Sequence, residues 1–275
     1  ADQNLEQQIG EEVNKEWIEL QLDLKRQLKL IDELPWQQAR RLVSHCPSAS
    51  ELNNPSLSCP MGANHCLRLV AGADLSFVKG DSETACASLV VLSLPDLSPV
   101  HKICRQVKVS HPYVPGFLSF REAPPVLELL DELRATKPEL MPQALLLDGN
   151  GTLHPRGFGL ACHVGVLAGL PTVGTAKSFF HVDGLDQRQV RKLVKEAGNR
   201  DYYIKGESGA VIGCAHVPDA SVKNPVYISC GHMISLSTAV WLVGHCCRYR
   251  VPEPTRLADF ESREFLRKES AASKT

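Results

Sequence analysis

Hydrophobic and polar positions change period along the chain, and each change marks a different kind of element. Val13, Trp17, Leu20, Leu24, Leu28 and Ile31 fall on one helical stripe, with Glu, Lys, Asp and Gln between them. That spacing predicts an amphipathic docking helix whose apolar face packs within the molecule. Pro35 opens a second helical segment from Trp36 to Val43, and residues 47 to 66, rich in Ser, Asn, Pro and Cys, read as a connecting loop.

From Arg68 the period becomes that of strands. Arg68 to Phe77, Ala85 to Leu94 and Val100 to Val109 are separated by short polar turns, which predicts an antiparallel meander. A helix starting near Ser119 and carrying Val126, Leu127, Leu130 and Leu133 comes next, then a strand from Ala144 to Asp148, a helix from Leu160 to Ala168 and a strand from Pro171 to Gly174. Such alternation requires crossovers and parallel pairing. Residues 182 to 201 read as a helix plus loop, Ala210 to Val217 and Val226 to Cys230 as a hairpin, and Ser235 to Cys247 as the last long helix. Three antiparallel strands followed by parallel ones, with helices on both faces of a central mixed sheet, is the element order of the ribonuclease H-like α/β architecture. The organisation expected is a helical extension packed on the core over 1–47, a connecting loop over 48–66, the ribonuclease H-like domain over 67–268 and a disordered tail over 269–275.

Composition narrows the partners. A net charge of −1 and a pI near 6.9 exclude whole-surface attraction to nucleic acid or anionic membrane, so any phosphate binding must be local. Apolar stretches are interrupted well before a bilayer could be spanned. Residues 1 to 16 are acidic and polar and lack the character of a secretory signal. The ten cysteines are scattered, with Cys246 and Cys247 adjacent. They read as reduced thiols of a cytosolic or nuclear protein that is not secreted, and their spacing does not form a zinc motif.

Two carboxylates stand where a core should be. Asp148 closes the apolar run Ala144-Leu145-Leu146-Leu147 and is followed by Gly149-Asn150-Gly151; Asp74 interrupts the strand-like Leu69 to Phe77. A buried strand that ends on an acid and two glycines delivers that acid to a crevice. With Glu122 at the start of the next helix, three hard oxygen donors select Mg²⁺, or Mn²⁺ in its place. Such an ion suits phosphodiester hydrolysis. From its own position, Glu122 is equally readable as a solvated first-turn acid. His232, between a strand and a helix, is placed either to move a proton or simply to pack. Lys177, past the carboxyl end of another strand, would hold a phosphate. The loop Pro112-Tyr113-Val114-Pro115 offers a stiff aromatic, read either as a wedge that parts stacked bases or as a hydrophobic cap.

Six ordered segments together resemble the endonuclease V family: Gly72 to Phe77, Pro112 to Glu122, Leu147 to Gly151, Arg156 to Ala161, Val173 to Ser178, and Gly231-His232. The resemblance runs from about Arg68 to Arg267, and Cys246 to Pro254 is similar to the closing segment of animal members. It departs at Ala73 and Ser178, neither of which carries the chemistry. By position it implies metal-binding acids at Asp74, Glu122 and Asp148, an active-site histidine at His232, a phosphate-contacting lysine at Lys177 and the wedge at Tyr113. It also implies a pocket at Gly116, Leu118 and Gly149 whose backbone reads the hypoxanthine edge. The implied activity is hydrolysis of the second phosphodiester 3′ to inosine, leaving 3′-hydroxyl and 5′-phosphate ends. The expected partner is inosine-containing single-stranded RNA, with deoxyinosine-containing DNA as the alternative. No membrane is expected, and the protein is taken as a monomer of the cytoplasm or the nucleus, including the nucleolus. Two other readings stay open: a non-catalytic inosine-RNA binder, and a haloacid-dehalogenase-like phosphatase suggested by Asp148-Gly149-Asn150-Gly151-Thr152-Leu153.

Overall fold

Apolar runs covered on both sides can only sit at the centre of a layered structure, and Ala144–Leu147 is such a run, wholly buried. The computed structural model describes residues 15–42, 66–109, 114, 116–198, 200–219 and 222–272. A helix α1 over 15–25 leads to α2 (Pro35–Ala39) and a short strand β1 (Arg41–Leu42), which pairs in parallel with β2 (Cys66–Leu67). The main sheet is built from β3 (Leu69–Phe77), β4 (Thr84–Ser93), β5 (Ser98–Lys108), β6 (Ala144–Leu147), β7 (Thr172–Ala176), β8 (Asp201–Lys205), β9 (Val211–His216) and β10 (Val226–His232). Helices α3 (Leu118–Thr136), α4 (Leu160–Ala168), α5 (Gln187–Ala197), α6 (Leu236–Cys246) and α7 (Glu253–Ala272) cover it.

The eight strands stand in the order β5-β4-β3-β6-β7-β10-β9-β8. Strands β3 to β5 form the expected antiparallel meander, while β6 runs parallel to β3 and β7 parallel to β6. This is the ribonuclease H-like arrangement, extended by three antiparallel strands. One face carries α3 and α4, whose Val126, Leu130 and Val164 meet Ala71, Leu145 and Leu147. The other carries α2, α6 and the start of α7, which close over Val70, Leu146 and Ile228. No helix among the described residues is long and apolar enough to cross a membrane.

The N-terminal segment packs on the core through Trp17, Leu24 and Leu28 of the predicted stripe, but Leu20 and Ile31 turn outward and Gln21 takes an inward place. Leu20 is 48% and Ile31 59% exposed, while Gln21 and Leu24 are buried. Gln21 donates to the Phe158 carbonyl at 2.6 Å, and Trp17 stacks on Phe120 at 5.1 Å. Asp32 then accepts from Ser235 N and Oγ and from Thr238 Oγ1, capping α6 from outside its own sequence. Helix α2 ends at Ala39, short of Val43, because Arg40 takes a left-handed conformation at φ 45°. Cys66, expected in a loop, lies in β2.

Two larger elements were also not expected. Residues 201–205 form an edge strand, paired with β9 from Asp201↔His216. A 20-residue helix, α7, follows the one expected to be last, and it carries residues 269–272 of the expected disordered tail. It shows no apolar stripe because its buried face is small and hydroxylic: Thr255, Ala258 and Ser262. It lies so close to β3 that an ideal Cβ on Gly72 would fall 2.6 Å from Thr255 N and nearer still to the Pro254 carbonyl. Only glycine admits that contact.

Candidate active site

Parallel register places the two strand acids side by side. Ala73 faces Leu147 in the β3/β6 pairing, so Asp74 and Asp148 occupy the next row, on the same sheet face, at the carboxyl edge. Crevices at that edge are where open α/β sheets bind ligands. A cleft of about 590 Å³ opens there, lined by Asp74, Asp148, Lys177, Asp259, Arg263 and Arg267 among others. Lys177 Nζ lies 2.5 Å from Asp148 Oδ2. The Arg250 guanidinium holds the Lys177 carbonyl at 2.6 Å, fixing the loop that carries the lysine.

Asp259 is the residue that sequence reasoning missed. It comes from α7, forms an i,i+4 pair with Arg263 at 2.7 Å, and its charge acts on Asp74. One turn further, Ser262 Oγ donates to Asp74 Oδ2 at 2.9 Å and lies 2.8 Å from Ser76 Oγ. The signals for this helix were present: Pro252 and Pro254 bracketing Glu253 at its start, then acid–base pairs at four-residue spacing.

Electrostatics identify the cluster as a site under strain. Burial, with repulsion from Asp259 and Asp148, pushes the Asp74 carboxyl up from 3.8 to about 6 against the lowering hydrogen bond from Ser262. Burial, then Asp74, pushes Glu122 up to about 8, partly offset by Arg121. Glu122 is the fifth residue of α3, beyond the first turn and half-buried, so the solvated first-turn reading is corrected. It borders a neighbouring cavity of about 560 Å³ with Leu118, Phe77 and Arg121. Arg121 covers the Phe77 ring at 4.3 Å and donates to the Ser82 carbonyl.

An all-carboxylate donor set with these raised values fits a hard divalent cation, which would relieve the repulsion that burial amplifies. Among the described residues, no three His, Cys, Asp or Glu side chains are already closed to coordination distance.

His232 is not brought to this edge. Strand β10 runs antiparallel to β7 and pairs His232 with Thr172, at the opposite end from Lys177. Three rows along the strands and two strands across put it about 14 Å from Asp148. Its Nδ1 accepts from the Lys29 backbone N–H at 3.3 Å, and burial and Lys29 lower its pKa. It fastens the N-terminal segment to the sheet. The expectation of a catalytic His232 is thereby corrected: a histidine between a strand and a helix can lie at either end of a sheet, and strand direction decides which.

The pocket residues divide in character. Gly116 sits at φ +82°, and its carbonyl accepts from His154 Nε2 at 3.1 Å and from the Arg156 guanidinium. His154 Nδ1 accepts from Arg156 N at 3.2 Å, so Nε2 carries the proton, and burial holds the ring's pKa down at about 4. A Cβ on Gly149 would meet only Leu160, at 3.4 Å, so internal packing does not require glycine there. Val114 carbonyl accepts from Phe117 N at 2.9 Å, at the start of α3. The other wedge residues, Pro112, Tyr113 and Pro115, lie outside the described residues.

The family model described as Endonuclease V matches residues 54–260. Mouse endonuclease V is 51% identical over 205 residues, covering 74% of this chain and 61% of its own length, so the chain spans about three-fifths of that relative. The crystal structure of human ENDOV superposes with a TM-score of 0.80 at 43% identity, covering 93% of this chain and 99% of that one. Ciona intestinalis endonuclease V, in complex with a 24mer DNA containing an inosine followed by a ribo-adenosine, gives 0.79 at 33% identity, covering 94% and 99%.

Proposed function

From the premise that this chain belongs to the endonuclease V family, we propose that it is a metal-dependent endonuclease. It recognises inosine in single-stranded RNA and hydrolyses the second phosphodiester 3′ to it, leaving 3′-hydroxyl and 5′-phosphate ends. The observation that carries this reading is the convergence of Asp74, Asp148 and Asp259 on one cleft, with Glu122 within reach of the charges of Asp74 and Asp148. The phosphatase alternative falls with family membership and with the place of Asp148, on an inner strand that follows a meander.

Asp74, Glu122, Asp148 and Asp259 would hold Mg²⁺ or Mn²⁺, which supplies Lewis acidity to ionise the attacking water and offset charge on the departing 3′-oxygen. The remaining work belongs to the chain. Ser262 and Ser76 orient the Asp74 carboxylate through its Oδ2. Lys177 is a point charge that can exchange Asp148 for a non-bridging phosphate oxygen at little distance. His154 and Arg156 fix the Gly116 carbonyl, and the unhindered face of Gly149 lets backbone approach a planar base. A base pocket lined by Gly116, Leu118 and Gly149 would read hypoxanthine through backbone groups and leave adenine's amino group unpaired.

The choice of RNA over DNA rests on two supports. A net charge of −1 suits a short single-stranded footprint. The Ciona relative was bound to a strand with a ribonucleotide directly after the inosine, where a 2′-hydroxyl would be read. The test is cleavage of matched single-stranded RNA and DNA, each with one inosine, with and without Mg²⁺, against an adenosine control. Metal- and inosine-dependent cutting of RNA above DNA is expected. The reverse ranking makes this a deaminated-DNA enzyme, and binding without cutting makes it a non-catalytic inosine-RNA binder.

A further inference from the structure

The carboxyl edge that bears the acids continues into a second, basic cavity. Strand β10 begins beside the end of β7, with Tyr227 paired to Ala176, and β9 ends beside it, with His216 paired to Val226. The loops leaving β9 and entering β10, together with the end of α5, enclose a cavity of about 500 Å³. Its walls carry Arg191, Lys195, Arg200 and Lys223 against a single acid, Asp219. All four cations are exposed, and Arg191 lies against Tyr227 and Gln187. Four cations around one acid give this cavity a local positive potential in a chain whose net charge is −1. Val194, Val217 and Pro225 supply an apolar floor.

Arg250 joins the two clefts. Its guanidinium holds the Lys177 carbonyl on the side of the acids and the Pro225 carbonyl at 3.0 Å on the side of the basic cavity. The charges of both Asp148 and Arg191 act on it. From the column of Asp148 to that of Val217 is three strand spacings, about 14 Å, which is roughly four stacked nucleotides at about 3.4 Å each.

We propose that this cavity is an accessory subsite for the sugar–phosphate backbone of the same single strand, engaged a few nucleotides from the scissile bond. The cations take phosphates and the apolar floor takes a sugar or base face. The subsite rests on the nuclease reading above but is tested by binding as well as by cleavage. Its consequence is length dependence: a strand long enough to reach Lys223 and Arg200 binds more tightly than one confined to the acid cleft.

The experiment compares the full chain with the double variant Arg200→Ala/Lys223→Ala, and with Lys205→Ala as a control at the far end of β8. Binding of fluorescent single-stranded RNAs of about 4 and about 20 nucleotides is measured across a salt series, with and without inosine, and cleavage of the inosine strands is measured in parallel. The expected result is a loss of about ten-fold or more in affinity for the 20-mer and a salt slope shallower by about 1.4. KM for the 20-mer should rise with kcat unchanged, and binding of the 4-mer should be unaffected. Equal losses on both lengths, or no loss on the 20-mer, would overturn the subsite. If no strand is cut by any form but the length-dependent loss of binding persists, the subsite stands and the nuclease reading falls.

Discussion

Gly72→Ala inserts one methyl group between β3 and α7 and should cost activity out of proportion to stability. The added Cβ would lie 2.6 Å from Thr255 N, where ordinary contact needs about 3.4 Å, and its closest neighbours are backbone atoms of Pro254 that cannot rotate away. Relief requires the start of α7 to retreat by roughly 1 Å. Overpacking of that kind costs about 1–3 kcal/mol, or roughly 2–10 °C in melting temperature for a chain of this size. The same retreat carries Ser262 from its 2.9 Å bond to Asp74 and moves Asp259 with it. A misplacement of about 1 Å in a reacting constellation can reduce rate about a hundred-fold. Single-turnover cleavage of an inosine strand, run well below the melting point and alongside a thermal melt, separates the two effects. A variant that melts several degrees lower yet cleaves at the parental rate would refute the coupling of α7 to the acids. Parental stability and rate together would refute the contact itself.

Further perturbations test individual assignments. Asp74→Asn should stabilise the protein at pH 8 in metal-free buffer and not at pH 4. The folded carboxyl at about 6 lies above its usual 3.8, so ionisation opposes folding as pH rises between those values, by at most about 3 kcal/mol. Denaturant midpoints that run parallel at both pH values would contradict the strained cluster. Asp259→Asn should lower kcat by about a hundred-fold or more with KM nearly unchanged, as kinetics with Mg²⁺ would show; an unaltered kcat would remove it from the site. His232→Ala should leave kcat intact and cost about 1 kcal/mol through the lost bond from Lys29, readable by a melt, and a large fall in kcat would return it to the chemistry. Asp32→Ala should cost about 1–2 kcal/mol because α6 loses its external cap; a melt matching the parent would discount those three bonds.

Legibility differed between residues for physical reasons. Asp74 and Asp148 were readable because a carboxylate in an apolar strand has no bland explanation. Asp259 was not, since its helix buries Thr255, Ala258 and Ser262 and shows Phe260 to solvent, which erases the apolar period. Strand β8 escaped for a related reason. It is an edge strand with a partly exposed face, and its first residue, Asp201, closes the polar segment that reads as a helix plus loop.

What the amino-acid order determined by itself is what depends on near neighbours: the periods of the strands, the break at Gly149, the order of the motifs and the acids those motifs carry. What tertiary structure decided is which of these residues share a space. Side-chain chemistry is written locally, but strand direction and helix placement are settled by contacts between residues far apart in the chain. His232 and Lys177 lie on neighbouring strands, and only the antiparallel sense of β10 sends the histidine to one edge while the lysine stays with the acids. Asp259 follows Asp74 by 185 positions, and only the glycine-lined contact of α7 with β3 brings the two into one electrostatic cluster.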